Sequence, residues 1–240
     1  MIQGSLFPVK IVREQAFSGT ASLRLTGYAL NGECYAIKTV EDNPLLPITE
    51  WFCYHLCSAV QIPTPGWVVA ERPNKTLAFG SRVDQDTELL GRISTNPVFV
   101  RTVLNSLASS ISRILSLDYF LPNIDRHINN ILVRQLPDNH MIALAFDWSH
   151  AQNLPNFLNW PWESPNNSFH TVEYLKIQKK WDNQAAFQVN NAVASIPSSF
   201  IREWLTSAPI EWIPNQDLAW IDLVVQSWDQ ARAARVNQVP

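Results

Sequence analysis

Apolar and polar positions alternate along the first forty residues. Leu6–Arg13 is apolar-rich, and Ser22–Leu30 alternates through Leu23, Leu25, Tyr28 and Leu30. Asn31-Gly32 reads as a tight hairpin turn into Glu33–Val40. The period then changes from two to 3.6. Between Glu50 and Val60, apolar residues at 52, 53, 56, 57 and 60 make one helical stripe, with Pro47 and Thr49 as start signals and Glu50 opening the helix. Ile62-Pro63-Thr64-Pro65-Gly66 interrupts it. Trp67–Glu71 and Thr76–Val83 predict a strand pair turning at Pro73-Asn74.

A different pattern begins at Asn96-Pro97. Val98 to Leu117 carries apolar residues at 100, 103, 104, 107, 111, 114 and 115, which predicts an amphipathic helix. Ile131–Arg134 and Met141–Phe146 read as short strands around a turn at 136–139, and Pro155 to Pro165 as a long loop rich in Trp, Pro and Asn. Helices are predicted near 170–181, 184–194 and 198–206, then over Asp217–Arg235. The expected class is α+β, with a β-rich part over 1–95 and a helical part over 96–240. There is no internal repeat.

Composition narrows the function. The chain has 240 residues, 46% hydrophobic and 16% charged, enough to fill a sizeable interior. A net charge of −3 and a pI near 5.9 argue against a dedicated nucleic-acid binder, which would carry a basic stripe. No stretch approaches the roughly 18 consecutive apolar residues of a spanning helix, and Met1–Phe7 lacks the features of a signal peptide. A cytoplasmic protein without a membrane partner is the expectation. Cys34, Cys53 and Cys57 form no CxxC, and the expectation is buried reduced thiols rather than a metal site. Of the ten tryptophans, most are expected between helices, and Trp160 and Trp162 are the pair expected at the surface.

The chemistry sits in Asn123-Ile124-Asp125-Arg126-His127-Ile128-Asn129-Asn130-Ile131-Leu132-Val133. Asp125 stands five residues before Asn130, an aliphatic run follows, and Asp147 closes a second apolar segment in Phe146-Asp147-Trp148-Ser149. Phosphoryl transfer asks for these groups: a carboxylate near the attacking hydroxyl, and an amide oxygen with a second carboxylate on Mg²⁺. Upstream, Tyr35-Ala36-Ile37-Lys38 offers a strand lysine for nucleotide phosphates, and Glu50 on the next helix an acid to pair with it. Each signal is common alone; four in this order are specific.

Together with Ile62-Pro63-Thr64-Pro65, Phe79-Gly80-Ser81-Arg82 and Asp147-Trp148-Ser149-His150-Ala151, these segments resemble the HipA-like kinases, a bacterial branch of the protein-kinase-like fold, over roughly residues 15–151. The resemblance implies a two-lobed fold, with a small antiparallel β lobe carrying one helix and a larger helical lobe. It implies ATP and Mg²⁺ in the cleft between them and phosphorylation of a Ser or Thr on a protein. It also implies, in some relatives, a toxin restrained by a protein antitoxin. Asp125 is then the base, His127 contacts the γ-phosphate, and Asn130 and Asp147 hold metal. Lys38 with Glu50 fixes the phosphates, Phe79-Gly80-Ser81 is the hinge that faces adenine, and Ser18-Gly19-Thr20 covers the phosphates. Arg126 is expected to be structural, either pairing with a carboxylate that orients the loop or facing solvent. The Asp-Arg-His triplet is also similar to phosphatidylinositol kinases, which keeps a lipid or small-molecule acceptor open, and a nucleotide-binding pseudokinase is the non-enzyme alternative.

The sequence departs from the common kinase pattern in three places. It holds no G-x-G-x-x-G, Trp148-Ser149 stands where Phe-Gly is usual, and no Ala-Pro-Glu segment follows. Ser reaches less of φ/ψ space than Gly, so a flipping Asp147 motif does not carry over.

Overall fold

The structure is a computed structural model. It describes residues 7–16, 25–93, 97–138, 140–151, 154–156, 165–235, 238 and 240. Ser18, Gly19, Thr20, Trp160 and Trp162 lie outside these residues.

Five strands close into a barrel in the order β1-β2-β3-β5-β4: β1 (Val9–Ala16), β2 (Leu25–Ala29), β3 (Cys34–Lys38), β4 (Trp67–Glu71) and β5 (Leu77–Arg82). Alternation sends Ile11, Ala29, Tyr35, Ile37, Ala70 and Ala78 inward as a small core of their own. Gly27 makes that core possible, because a Cβ there would stand 2.9 Å from side-chain carbons of both Ile11 and Ile37. The expectation of a purely antiparallel lobe needs correction. β1 pairs with β4 in parallel, Val9 opposite Ala70 and Lys10 opposite Glu71. Closing the sheet this way leaves neither edge open to water.

Between β3 and β4 runs α1 (Leu46–Ala59), with Pro47 in its first turn. It ends where Gln61 turns left-handed (φ 57) and Ile62 N–H reaches back to Cys57 O at 2.9 Å. Two expectations for this helix fail. Glu50 lies a full turn inside rather than opening it, and every residue from Leu46 to Cys57 is buried, not one stripe. The helix is hydrophobic all round because the barrel packs on one side and C-terminal helices on the other. Cys53 and Cys57 are free, fully buried thiols on it, and burial pushes both well above the ordinary thiol range.

Past β5 the chain crosses to a second sheet of order β6-β7-β8: β6 (Thr87–Leu89), β7 (Ile131–Gln135) and β8 (Met141–Ala145). β6 pairs with β7 rather than with the barrel, so the crossing is Val83–Asp86, earlier than residue 95. Asp84 fastens it by accepting from Arg82 Nε at 2.5 Å and from Arg134 of β7. Besides short 3-10 turns, the described residues form six α-helices: α1, α2 (Pro97–Phe120), α3 (Asn167–Ile177), α4 (Asn183–Ser195), α5 (Ser198–Thr206) and α6 (Leu218–Arg235). Among the described residues none is long and apolar enough to cross a membrane.

One apolar cluster runs from α1 and Phe79 through α2 to α6. At about 1.5–3 kcal/mol per buried large side chain, this is the main adhesive of the molecule. Tryptophans pin it with polar contacts. Trp51 Nε1 of α1 donates to Trp204 O of α5 at 2.8 Å, Trp212 Nε1 to Leu77 O of β5 at 3.1 Å, and Trp228 Nε1 to Ile196 O at 3.1 Å.

Candidate active site

The end of α2 sets the site. Pro122 stops the helix, and Asp118 in its last turn is left buried with a charge to neutralise. Arg126 neutralises it with a two-pronged contact, Nε to Oδ2 at 2.8 Å and Nη2 to Oδ1 at 3.0 Å, with Asn123 Nδ2 adding a third donor at 2.6 Å. The remaining nitrogen of the fork, Nη1, donates to Asn130 O at 2.7 Å and to Phe146 O. One fully buried guanidinium therefore ties the helix, the loop and the segment before Asp147 together, through the carbonyls of Asn130 and Phe146. Of the two sequence expectations for Arg126, a carboxylate partner or solvent, the first is what is observed. From α3, Ser168 Oγ accepts from Arg126 N–H at 2.8 Å and donates to Asn123 O at 2.7 Å.

On this frame the polar tips point outward. Asn130 Nδ2 donates to Asp125 O at 2.9 Å, which spends the amide nitrogen and presents Oδ1. His127 Nδ1 accepts from Asn129 N–H at 3.1 Å, so the neutral ring carries its proton on Nε2, where it can donate. Asn167 Nδ2, on the first residue of α3, donates to Asp125 Oδ1, and His150 Nε2 stands 3.4 Å from Oδ2. The sequence reading missed Asn167 and gave His150 no role. No spacing rule could have found Asn167, which is 42 residues from Asp125 in the chain.

The other wall comes from the barrel and α1. Lys38, the last residue of β3, is only 5% exposed. Its Nζ stands 3.0 Å from Asp147 Oδ1 and 3.9 Å from Glu50 Oε1. Glu50 Oε1 also accepts the Trp148 N–H at 3.0 Å. At 1% exposure, Glu50 is not an ordinary first-turn acid. Burial pushes its carboxyl up to about 7, with Lys38 pulling against it and Asp147 adding to it. Burial would also raise Asp147, but the charge and hydrogen bond of Lys38 outweigh it and hold that carboxyl below the usual range.

Asp147 takes a left-handed backbone (φ 59), which Asp tolerates better than most residues. Trp148 is fully buried, its ring 5.2 Å from Tyr54 and under Arg126 at 5.0 Å. This anchor fixes the Asp147 motif in place.

The hinge expectation is corrected. Phe79, Gly80 and Ser81 lie inside β5, flanked by Lys38, Ile37 and Ala36 of β3 on one side and by β4 on the other. Their backbone belongs to the ladder, so it does not face a ligand as a hinge would. Phe79 is fully buried, its ring tilted against Tyr54 at 4.9 Å, and Ser81 Oγ pairs with Tyr54 Oη at 2.6 Å. The segment that crosses to the second sheet is Val83–Asp86.

Behind the loop lies an apolar cavity of 250 Å³ lined by Leu90, Val103, Ile111, Ile128, Ile131 and Tyr174 among others. It offers no charged side chain to a phosphate among the described residues. Nor does any group of three or more His, Cys, Asp or Glu among them make a self-sufficient metal cage. Asn130 Oδ1 and the Asp147 carboxylate are oxygen donors of the kind that a hard divalent cation prefers.

Neither a family model nor a curated protein matches this sequence. In three dimensions the chain is similar to the proinflammatory kinase CtkA of Helicobacter pylori, with a TM-score of 0.58, 12% identity, and coverage of 94% of this chain and 93% of that one. The MAP kinase LmaMPK10 of Leishmania major aligns over 92% of this chain and 79% of its own at 13% identity, with a TM-score of 0.33, too low to weigh. The fold is kinase-like.

Proposed function

We propose that the chain is an ATP- and Mg²⁺-dependent phosphotransferase of the HipA-like type that phosphorylates a Ser or Thr hydroxyl of a protein. One observation carries the reading: Arg126 gathers Asp125, Asn130 and Asp147 onto one frame, and Lys38 and Glu50 close on Asp147 from the opposite wall. A fold alone does not argue function; this constellation does. The two-lobed arrangement, with a cleft between barrel and helices, belongs to the same proposal.

Asp125, held at Oδ1 by Asn167, receives the proton of the acceptor hydroxyl as that oxygen attacks phosphorus. Lys38 supplies a fixed positive charge to the transferring phosphates, and Glu50 keeps the ammonium from collapsing wholly onto Asp147. Asn130 Oδ1 and Asp147 would hold Mg²⁺, which would neutralise phosphate charge. His127 Nε2–H donates to an equatorial phosphate oxygen. The anchored Trp148 favours a site that is permanently assembled, with control coming from a protein partner such as an antitoxin.

The test is transfer of label from γ-phosphate-labelled ATP. Purified protein with Mg²⁺ should label itself or proteins in an extract, and Asp125→Asn should cut transfer by a factor on the order of 10² or more while nucleotide binding persists. Labelling of an added lipid or small molecule with no labelled protein would replace the acceptor class. Full transfer by Asp125→Asn would remove the base.

A further inference from the structure

The cavity behind the loop is walled by elements that the preceding mechanism uses only for support. Val103, Leu104 and Ile111 of α2, Ile131 of β7 and Leu175 of α3 form its floor, and all five are buried. Ile128 and Tyr174, 47% and 45% exposed, stand where it meets solvent. Among the described residues no charged side chain lines it. Thr171 has its hydroxyl hydrogen engaged by main-chain carbonyls, Arg126 O at 2.9 Å and Asn167 O at 2.8 Å. A trapped water needs roughly two to four polar partners, which five aliphatic side chains do not supply. An uncharged apolar molecule needs none and gains dispersion contacts with the walls. A charged one would lose its hydration without a partner. Size narrows the class further. An aliphatic cavity of about 150 Å³ takes benzene, and this one, at 250 Å³, has room for a fused second ring.

The same walls belong to the loop. Ile128 and Ile131 bracket Asn129 and Asn130, and their carbonyls accept the N–H groups of Gly91 at 3.2 Å and Leu90 at 2.9 Å, both on the cavity wall. Gly91 lies so close that a Cβ there would run into Asn129 Oδ1. Thr171, also on the wall, holds the carbonyl of Arg126. We propose that the cavity binds a small, uncharged, apolar molecule the size of a bicyclic aromatic, and that its occupant braces the loop carrying Asp125 and Asn130. A ligand favours the arrangement whose walls it fits, and two of these walls are loop residues. The binding stands on the cavity alone; its consequence for phosphate transfer rests on the kinase reading above.

Indole is the probe, and indole-2-carboxylate its charged match. Indole should raise the melting temperature saturably, by about 2 °C or more, and the carboxylate should not. Leu104→Phe and Val103→Phe each fill the cavity from α2 and should weaken indole by about tenfold or more. Without any variant, magnetisation transfer from bound indole in the wild-type protein should reach the methyl groups of Val103, Ile111 and Ile131. No saturable shift with indole, or contacts that fall on other methyl groups, overturns the site. At saturation, amide exchange of Leu90 and Gly91 should slow by about tenfold or more, since those N–H groups donate into the loop. Unchanged exchange overturns the bracing. If indole binds and protects these amides in a protein that transfers no phosphate to any acceptor, the site stands and the kinase reading alone fails.

Discussion

Two buried ion pairs meet at this site and are built on opposite plans. Arg126 and Asp118 are both fully buried, joined at 2.8 and 3.0 Å in a planar two-point contact, with further acceptors for the rest of the guanidinium. Lys38 and Glu50 are nearly as buried, yet stand 3.9 Å apart, and Lys38 lies closer to Asp147. The first pair is saturated and has one arrangement. The second shares a single cation between two carboxylates and leaves Glu50 pushed up to about 7. The difference separates scaffold from machinery. A planar fork suits a charge that must never move, while a compact ammonium on a flexible stem suits one that turns to a ligand.

The largest effect should follow from breaking the saturated pair. Arg126→Met leaves Asp118 buried without either guanidinium donor, which costs about 3–5 kcal/mol, and frees the carbonyls of Asn130 and Phe146. Urea denaturation should register the loss. Arg126→Lys should recover little of it, since one ammonium cannot reach four acceptors. A variant within about 1 kcal/mol of wild type would mean that the loop is organised by something else. Lys38→Met should behave differently. The fold should persist, because Glu50 needs only to stay protonated, while phosphate transfer falls by a factor on the order of 10², about 2.7 kcal/mol of transition-state stabilisation. Comparable melting temperatures with collapsed turnover would sharpen the contrast between the pairs; unfolding of Lys38→Met would erase it.

That contrast also explains what the sequence could and could not show. The order Lys38, Glu50, Asp125, Asn130, Asp147 is legible because the spacing of chemistry along one loop and one strand–helix unit is local. The helices from 167 onward are legible from their period, and their observed bounds differ from the expected ones by a few residues. The partners of Asp125 are not legible, because Asn167 arrives from a helix start that only folding brings to the loop. The stripe expected on α1 failed for a related reason: period reads one buried face, and a helix enclosed on every side has none to read. The hinge was displaced because Phe79-Gly80-Ser81 matches a motif, whereas which strand residues lie between two neighbours depends on closure of the barrel.

A smaller effect should come from the titration of Glu50. Its folded-state pKa is raised from 4.5 to about 7, so the folded protein binds this proton more tightly than the unfolded chain. That stability is fully present below about pH 4.5 and is lost as pH rises through about 7, a few kcal/mol at most. Asp147 works in the opposite sense: its lowered pKa contributes stability above the ordinary Asp range that is lost as pH falls toward and below 3.8. Glu50→Gln removes the first slope and keeps the shape, so melting temperature should flatten between pH 5 and 7.5 while the acid limb remains. An unchanged slope in Glu50→Gln would assign the titration elsewhere, and the loose pair would be no looser than the tight one.

The smallest effect belongs to a buried polar group with no charge partner among the described residues, which serves as the control for both pairs. His55 lies one turn past Glu50 on α1, with neither ring nitrogen hydrogen-bonded. It is stacked 5.6 Å from Trp204 and packed 4.7 Å from Trp51 and 4.9 Å from Trp67. Burial pushes its pKa down to about 4, so the ring stays neutral through the physiological range and behaves as an aromatic filler. The unfolded chain protonates near 6.5 and the folded one near 4, so stability is lost as pH falls through that window. His55→Phe keeps a ring in the tryptophan cage and deletes two unsatisfied nitrogens. It should change stability at pH 8 by no more than about 1 kcal/mol and should raise it, relative to wild type, at pH 5. Thermal unfolding of the two proteins at both pH values measures the difference. A variant destabilised equally at pH 5 and pH 8 would show that the cage depends on the imidazole itself, and that α1 is held by polar contacts on this face as well as on the face that carries Glu50.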